Sequence, residues 1–318
     1  MLPFLQQLKA SKLSLEEALN AAAEYYALSR ARDPLNYIDR TFLHHPPGHY
    51  YSPLPDRAEL DRVRKRIYGK PPPDSIPGVD LKEREQLKLY AQLVKYYPQF
   101  PFKEEKTPGL RYYFNNGNFC HADAFWLFSM LLRFKPKRLV EVGSGFSSCV
   151  TLDTRDNFMD SSLELVFIEP DPEARLLGNM GDVHQENTTI CKALVQDVPM
   201  EIFHTLEAGD VLFVDGSHVG KIGSDVLYIL FEVLPALKPG VFIHFHDLFY
   251  PFEYPQEWLE KGWAWNEDYF MRAFLQYNSK FDIVLFGHYL GVKHHPMLLK
   301  HTPVCCKNTG GSLWLRKL

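Results

Sequence analysis

The chain has 318 residues, of which 46% are hydrophobic, so wholesale disorder is excluded and one large domain or two modest ones can form. The 35 basic and 39 acidic residues give a net charge of −4, which does not favour nucleic acid as a partner. The five cysteines lack paired spacing, residues 1–9 lack a signal-peptide core, and no run approaches the roughly 18 apolar residues of a membrane span. We therefore expect a cytoplasmic protein with neither a disulfide scaffold nor a membrane partner.

Residues 1–110 are predicted to be helices joined by proline-rich loops. A capping-box pattern starts an alanine-rich helix, and two charged segments follow it with helical spacing. The loops between them hold too many prolines for a helix or a central strand. The predicted helices cover residues 14–31, 57–68 and 80–98. This first third is interpreted as an appended helical cap, and its loop at His49 and Tyr50 could close a site elsewhere in the chain.

Residues 111–318 are predicted to form an α/β domain, because strand-like runs alternate there with helix-like ones. Residues 211–214 are apolar throughout, as expected where helices cover both faces of a sheet. The connection 287–311 contains no clear helix, so we expect a long hairpin and an antiparallel final strand. The predicted strands are 138–143, 163–169, 189–195, 210–215, 241–246, 281–287 and 312–317, and the predicted helices are 121–134, 147–156, 172–180, 199–207, 220–237 and 266–278.

The first strand of this domain ends in a glycine turn that carries an acidic residue. Glu141 precedes Gly143-Ser144-Gly145, and the third glycine of a dinucleotide motif is replaced by Ser148. This E-x-G-x-G pattern resembles motif I of the class I S-adenosylmethionine-dependent methyltransferases. Together with a later V-D-G-S-H pattern, it is most similar to bacterial stand-alone small-molecule enzymes. The resemblance implies a Rossmann-like seven-stranded sheet ordered 3-2-1-4-5-7-6 with strand 7 antiparallel, and S-adenosylmethionine as cofactor.

The predicted cofactor residues follow the carboxyl ends of successive strands, where open α/β sheets bind ligands. Gly143 and Gly145, with Ser144 between them, would let the cofactor approach the backbone. The resemblance places Glu141 beside the aminoacyl end, Glu169 on the ribose hydroxyls and Asp197 on the adenine amino group. Each acid could instead be a solvated loop residue, although a carboxylate buried at Glu141 needs a partner.

The segment before the first strand offers further candidates. Related enzymes place a polar residue there against the methionine carboxylate or amine of the cofactor, and Asn118, His121 and Asp123 occupy that region. Asp123 is equally plausible as a helix N-terminal acid favoured by the helix dipole.

Four side chains are predicted to converge at the ends of strands 4 and 5: Asp215, His218, His246 and Asp247. The pattern resembles the metal-assisted O-methyltransferases, including catechol and macrolide-sugar O-methyltransferases. The resemblance implies Asp215 and Asp247 as metal ligands, His246 as a third ligand and His218 as the base that deprotonates an acceptor hydroxyl.

This set of predicted ligands does not identify the metal. Magnesium prefers oxygen ligands, an imidazole shifts preference toward other divalent metals, and His246 could instead only pack or hydrogen-bond. His218 could likewise have a structural role. His244 lies two residues from His246 on the same strand face and is expected to be a core histidine.

An aromatic insertion, residues 249–267, follows strand 5. Its Tyr250, Tyr254, Trp263 and Trp265 could wall an acceptor pocket or simply pack on the surface. The histidines His294, His295 and His301 are expected to be solvated.

The sequence therefore predicts methyl transfer from S-adenosylmethionine to a hydroxyl oxygen of a small or medium metabolite. The alternatives are an NAD-linked oxidoreductase, or a non-catalytic cofactor-binding regulatory protein. The expected partner is the small-molecule acceptor, and the chain could assemble as a homo-oligomer.

Overall fold

The computed structural model describes residues 45–159, 162–178 and 187–318. Its Cα packing divides the chain into two compact units, residues 1–67 and 68–318. In the first unit, a loop leads into helix α1, Arg57–Ile67, which confirms the charged helix predicted there. The helix predicted at 14–31 lies outside the described residues. Among the described residues, no helix is both long and apolar enough to cross a bilayer.

The larger unit is built on a seven-stranded sheet in the order β3-β2-β1-β4-β5-β7-β6, which confirms the predicted fold class. Strands β1 to β5 pair in parallel and β7 pairs antiparallel with both β5 and β6. Every residue of β4 and β5 is buried, as expected for strands covered on both faces. The strands are β1 Arg138–Val142, β2 Glu164–Ile168, β3 Thr188–Cys191, β4 Val211–Val214, β5 Phe242–Phe245, β6 Phe281–Phe286 and β7 Leu313–Lys317.

Helices surround this sheet, and helix α3 lies deepest among them. Its sequence is apolar around most of the circumference, so Ala122 to Leu132 are all buried. The described α-helices of the unit are α2 Glu83–Leu93, α3 His121–Phe134, α4 Phe146–Phe158, α5 Glu201–His204, α6 Asp225–Tyr228, α7 Leu234–Ala236, α8 Gln256–Glu260, α9 Glu267–Leu275, α10 Gly287–Lys293 and α11 His295–His301. Short 3-10 and π turns fill Val94–Gln99, Glu173–Leu177, Val195–Asp197, Ile229–Val233 and Pro303–Cys306.

Helix α2 belongs to the core of the larger unit. Leu93 is fully buried, and the buried Tyr90 hydroxyl lies 3.0 Å from the Thr302 hydroxyl. The buried Gln86 side chain accepts a 2.7 Å hydrogen bond from the backbone of Phe286 at the end of β6. The structural division after residue 67 therefore differs from the boundary predicted at residue 110.

The long hairpin predicted at 287–311 is wrong, because that segment contains α10, α11 and a 3-10 turn. Two glycines make the compact packing possible: a Cβ at Gly287 would lie 2.5 Å from the Trp126 ring nitrogen, and one at Gly291 would lie 2.5 Å from Thr309. The two prolines of this segment stand in the first turns of α11 and of the 3-10 helix, where proline is tolerated. His294 is not simply solvated, since its Nε2 lies 2.8 Å from Glu83.

Candidate functional site

The turn between β1 and α4 packs tightly against the backbone at the end of β4. Gly143 has φ +77°, and a Cβ there would lie 1.8 Å from the Asp215 carbonyl oxygen, so only glycine fits without moving the backbone. Gly143 N–H also donates to the Ile168 carbonyl at the end of β2. Around Gly145, by contrast, nothing lies within 4 Å of the position that a Cβ would take. The turn thus leaves open space beside a rigid backbone.

Glu141 is fully buried beneath this turn and is satisfied on one side only. Its Oε1 accepts hydrogen bonds from the hydroxyls of Ser147 at 2.5 Å and Ser148 at 2.9 Å, while Oε2 has no partner. Burial raises the pKa of Glu141 to about 8, against the two serine hydrogen bonds that lower it. The buried Ser144 hydroxyl also has no partner. Two orphaned polar atoms beside an open turn fit a small polar ligand group, such as the aminoacyl end of the predicted cofactor.

Glu169 lies at the end of β2 and is 6% exposed. Its two oxygens accept hydrogen bonds from the backbone N–H groups of Ser144 at 3.1 Å and Asp171 at 3.0 Å. Each oxygen keeps a free lone pair, so the carboxylate can hold the glycine turn and still accept from a ligand hydroxyl. Asp197 is exposed at the end of the turn that follows β3. Their assignments to ribose and adenine stay predictions.

The three candidates before β1 have different environments. Asp123 is buried, and its Oδ1 accepts from the Ser312 hydroxyl at 2.6 Å and from Gly311 N–H at 3.1 Å, so it ties α3 to the beginning of β7. His121 faces Glu104 at 3.4 Å, and Asn118 is exposed. A contact of Asp123 with the cofactor stays a prediction.

The structure brings together the four side chains predicted at the ends of β4 and β5. His218 Nε2 lies 3.4 Å from Asp215 Oδ1 and 3.8 Å from Asp247 Oδ2. His246 Nε2 lies 3.4 Å from Asp247 Oδ1, and its buried Nδ1 has no partner. Burial raises the pKa of Asp247 to about 6, although the two imidazoles oppose this. Two imidazoles and two carboxylates therefore alternate in one cluster.

His218 is held on its other edge by a residue that the sequence did not indicate. Its Nδ1 lies 2.9 Å from Glu267 Oε2, and its ring packs on Trp265 with the ring centres 4.5 Å apart. Burial alone would lower the pKa of His218, but the hydrogen bonds with Asp215 and Glu267 raise it well above its ordinary value. Glu267 was missed because it is 49 residues away and resembles an ordinary acid in the first turn of a helix.

Both His218 and Asp247 have left-handed backbone, with φ +59° and +57°. Such angles are uncommon for residues with a side chain and are found often at functional sites. They aim both side chains into the cluster from the sharp turns that end β4 and β5.

His244 is part of the core, as expected. It is fully buried, its ring stacks on Phe213 with the centres 4.0 Å apart, and its Nε2 lies 3.1 Å from the Ser312 hydroxyl. It faces the beginning of β7 and makes no contact with the carboxylates of the cluster that could orient it toward a reacting group.

The cluster as arranged does not fit the metal site that the resemblance implies. Among the described residues, no group of three or more His, Cys, Asp or Glu side chains is placed to hold a metal ion. The carboxylates of Asp215 and Asp247 face imidazole nitrogens instead. The predicted ligand role of Asp215, His246 and Asp247 thus lacks a formed coordination site.

The aromatic insertion after β5 divides into a packed half and an open half. Tyr250 and Tyr254 are buried, and their hydroxyls are bound by the Pro73 carbonyl and the Asp268 N–H. Trp265 and Trp263 stack with their ring centres 4.9 Å apart, and Trp263 is 39% exposed. Trp265 therefore presents an aromatic face to His218, and Trp263 extends this aromatic surface toward solvent.

Comparison with known proteins finds a family model, a sequence relative and several solved structures that are similar to this chain. Residues 140–248 match a family model described as a methyltransferase domain. An uncharacterized protein of Archaeoglobus fulgidus is 36% identical over 164 residues, which are 51% of this chain and 73% of that protein. The SAH-bound methyltransferase PaMTH1 of Podospora anserina aligns at 16% identity and a TM-score of 0.43, over 77% of this chain and 100% of its own. An O-methyltransferase of Bacillus cereus in complex with SAH aligns at 12% identity and a TM-score of 0.34, over 81% and 95% of the two chains.

The methyltransferase-domain match runs from β1, through the glycine turn, to the residues just after β5. It thus covers the strand ends at which the polar groups described above converge. Given this match and the order of the seven strands, the chain contains a methyltransferase domain with the fold of the class I S-adenosylmethionine-dependent methyltransferases.

Proposed function

We propose that this protein transfers the methyl group of S-adenosylmethionine to a hydroxyl oxygen of a small or medium-sized metabolite, with His218 as the base. The observation that carries the proposal is the position of His218, whose Nε2 faces Asp215 and Asp247 where β4 and β5 end, while Nδ1 is held by Glu267. A hydroxyl oxygen must lose its proton to attack the methyl group, and a base at this place in the site can accept that proton.

The cofactor is proposed to lie along the carboxyl ends of β1 to β3. Its aminoacyl end would meet the unpartnered Glu141 Oε2 and Ser144 hydroxyl beside Gly145. Glu169 would accept from the ribose and Asp197 from the adenine amino group. When bound, the cofactor supplies a methyl group already activated by its positively charged sulfur.

The protein's own residues then have to supply an ionised acceptor. The raised pKa keeps a proton on each ring nitrogen of His218 until the acceptor hydroxyl takes the place of Asp215 at Nε2 and the Nε2 proton stays with Asp215. The neutral ring would then take the proton of the acceptor hydroxyl at Nε2. Glu267 would stabilise the resulting imidazolium through Nδ1–H, and the same contact already raises the pKa of His218. Trp265 and Trp263 would line the acceptor side, where a flat or apolar face can pack against them.

The test begins with binding. Calorimetry is expected to show affinity for S-adenosylmethionine and its homocysteine product and none for NAD. Labelled S-adenosylmethionine is then offered with a library of hydroxyl-bearing metabolites. For any acceptor found, His218→Ala should keep cofactor affinity but lose about 10²- to 10⁴-fold in turnover, the range that general-base help supplies.

The matched control is His204→Ala, at an exposed histidine of α5. It should leave both affinity and turnover unchanged. Full turnover by the His218 variant would remove this residue as the base, and NAD binding without S-adenosylmethionine binding would overturn the proposal. A chelator arm tests metal assistance: turnover abolished by chelator and restored by a divalent metal would bring Asp215 and Asp247 back as ligands.

A further inference from the structure

Helix α9 begins with two adjacent buried acids, and each one holds a different loop of the site. Glu267 is 2% exposed and contacts His218, on the loop after β4. Asp268 is fully buried, and its Oδ1 accepts a 3.1 Å hydrogen bond from the N–H of Phe249, two residues beyond Asp247 on the loop after β5. The first turn of α9 thus fixes both loops that carry the chemistry.

The contact with the first loop is reinforced along the backbone. The N–H groups of Asn266 and Glu267 both donate to the His218 carbonyl, at 3.1 and 3.2 Å. The Asn266 side chain accepts from Gly220 N–H at 2.6 Å. His218 is therefore tied to the start of α9 by its carbonyl and by its ring, which leaves its Nε2 edge as the one directed at Asp215 and Asp247.

We propose that Glu267 is a positioning residue of the methyl-transfer site, which keeps the ring proton of His218 on Nδ1 so that Nε2 can accept the proton of the acceptor. This inference rests on the proposed function. A neutral imidazole carries one proton, on either nitrogen, and carboxylates attract it. Asp215 and Asp247 lie on the Nε2 side at 3.4 and 3.8 Å, whereas Glu267 lies on the Nδ1 side at 2.9 Å. Without the Glu267 charge, the two aspartates would draw the proton to Nε2, and the ring would face the acceptor as a donor.

The substitution Glu267→Gln tests this with nearly unchanged shape. The ring nitrogens of His218 are observed by NMR in ¹⁵N-histidine-labelled protein without any acceptor, at a pH above the raised pKa of His218, where the ring is neutral, and are assigned by their loss in His218→Ala. In the unmodified protein we expect a slowly exchanging proton on Nδ1. In Glu267→Gln we expect that signal to vanish and Nε2 to carry the proton, because the amide can donate to a bare Nδ1. Glu257→Gln, at an exposed acid of α8, is the matched control and should change nothing.

The kinetic arm uses any acceptor that the unmodified protein methylates. Glu267→Gln should lower kcat by about 10²-fold, the lower end of general-base help, while KM for the acceptor and Kd for S-adenosylmethionine change less than about threefold. An unchanged Nδ1 signal with unchanged kcat would overturn the inference. An equal loss of cofactor affinity would do the same, since it indicates a general structural role.

Should the glutamine variant fail to unfold cooperatively, Glu267→Asp answers the question, because it keeps the charge and shortens the reach. An Nδ1 proton that is retained but exchanges faster, with intermediate kcat, supports the inference, and kcat equal to that of the unmodified protein overturns it. The proposed function fails separately: if His218→Ala retains turnover, His218 is not the base, whatever the ring protonation in the Glu267 variants.

Discussion

At the scale of single residues, Glu141 shows how a buried acid can be prepared for a ligand. The sequence indicated that a carboxyl inside an apolar strand needs a partner, and Ser147 and Ser148 provide it for one oxygen only. With a pKa of about 8, Glu141 is mostly protonated at neutral pH in the cofactor-free protein. A cationic group placed at its free oxygen would favour the ionised form and release the proton.

We therefore predict that cofactor affinity depends on pH through Glu141. Between pH 6 and 7.5, S-adenosylmethionine binding should tighten by up to about tenfold per pH unit, with proton release that calorimetry detects in buffers of different ionisation enthalpy. Glu141→Gln should bind more weakly and lose this pH dependence. Equal pH dependence in both proteins would show that Glu141 does not meet the cationic end of the cofactor.

A rise in pH is expected to have the opposite effect on the stability of the cofactor-free protein, which should fall. The folded protein holds the Glu141 proton up to a pKa of about 8, against an ordinary 4.5 in the unfolded chain. This contribution to the free energy of unfolding is fully present below pH 4.5 and declines as the pH rises toward 8. Cofactor-free Glu141→Gln should lack this decline in chemical denaturation at several pH values.

Residues on strand ends could be predicted from the sequence, because a parallel sheet fixes where they converge. Asp215, His218, His246 and Asp247 were found in this way and do lie together. Glu267 could not, because its contact depends on how the insertion of 249–267 folds back, and no periodic pattern encodes that path.

At the scale of elements, the two glycines of the β1–α4 turn have different roles: one is needed for the fold, and the other leaves space beside the backbone. Gly143 is needed for the fold, since it has positive φ and touches the Asp215 backbone. Gly145 has open space around it and an extended φ of −177°, which any residue can adopt. A residue without a side chain is needed at this position only if a ligand approaches the backbone.

The matched pair Gly143→Ala and Gly145→Ala tests this division. Gly143→Ala should lower the free energy of unfolding by roughly 3 kcal/mol or more, from left-handed strain and a backbone clash. Gly145→Ala should change stability by less than about 1 kcal/mol but weaken S-adenosylmethionine binding. Denaturant titration and calorimetry measure the two effects, and unchanged binding in Gly145→Ala would mean that the cofactor does not pass there.

Strands were also more predictable than connections at this scale. The apolar runs located the seven strands within a few residues, because β1, β4 and β5 are buried over their whole length or nearly so. Strand β3 has no buried residue, and it ends at Cys191 instead of the predicted residue 195. The helices of 287–311 were missed because their glycines and prolines indicate loops when only local patterns are considered. Their packing against Trp126 and Thr309 overrides that local preference.

At the scale of the whole molecule, residues 68–318 form a unit with its own core, which includes helix α2. Leu89, Tyr90 and Leu93 are buried in it, and Gln86 satisfies the backbone at the end of β6. Helices α2 and α3, which precede β1, are thus structural parts of the methyltransferase unit.

We predict that a chain of residues 68–318 unfolds cooperatively and binds S-adenosylmethionine, whereas a chain of residues 111–318 does not. Removing α2 would expose the core beneath three buried apolar side chains, each worth about 2 kcal/mol or more. Circular dichroism on heating measures whether each chain unfolds cooperatively, and calorimetry measures whether it binds S-adenosylmethionine. Stable folding of residues 111–318 would instead support the boundary at residue 110.

The left-handed backbone at His218 and Asp247 has a consequence for engineering. Glycine would relieve about 1–2 kcal/mol of conformational strain at each position, and neither position requires a side chain to complete the strand before it. A laboratory selection that rewards only heat resistance would therefore tend to remove two side chains of the proposed site. Libraries for a more robust variant should hold both positions constant and seek their gains elsewhere in the molecule.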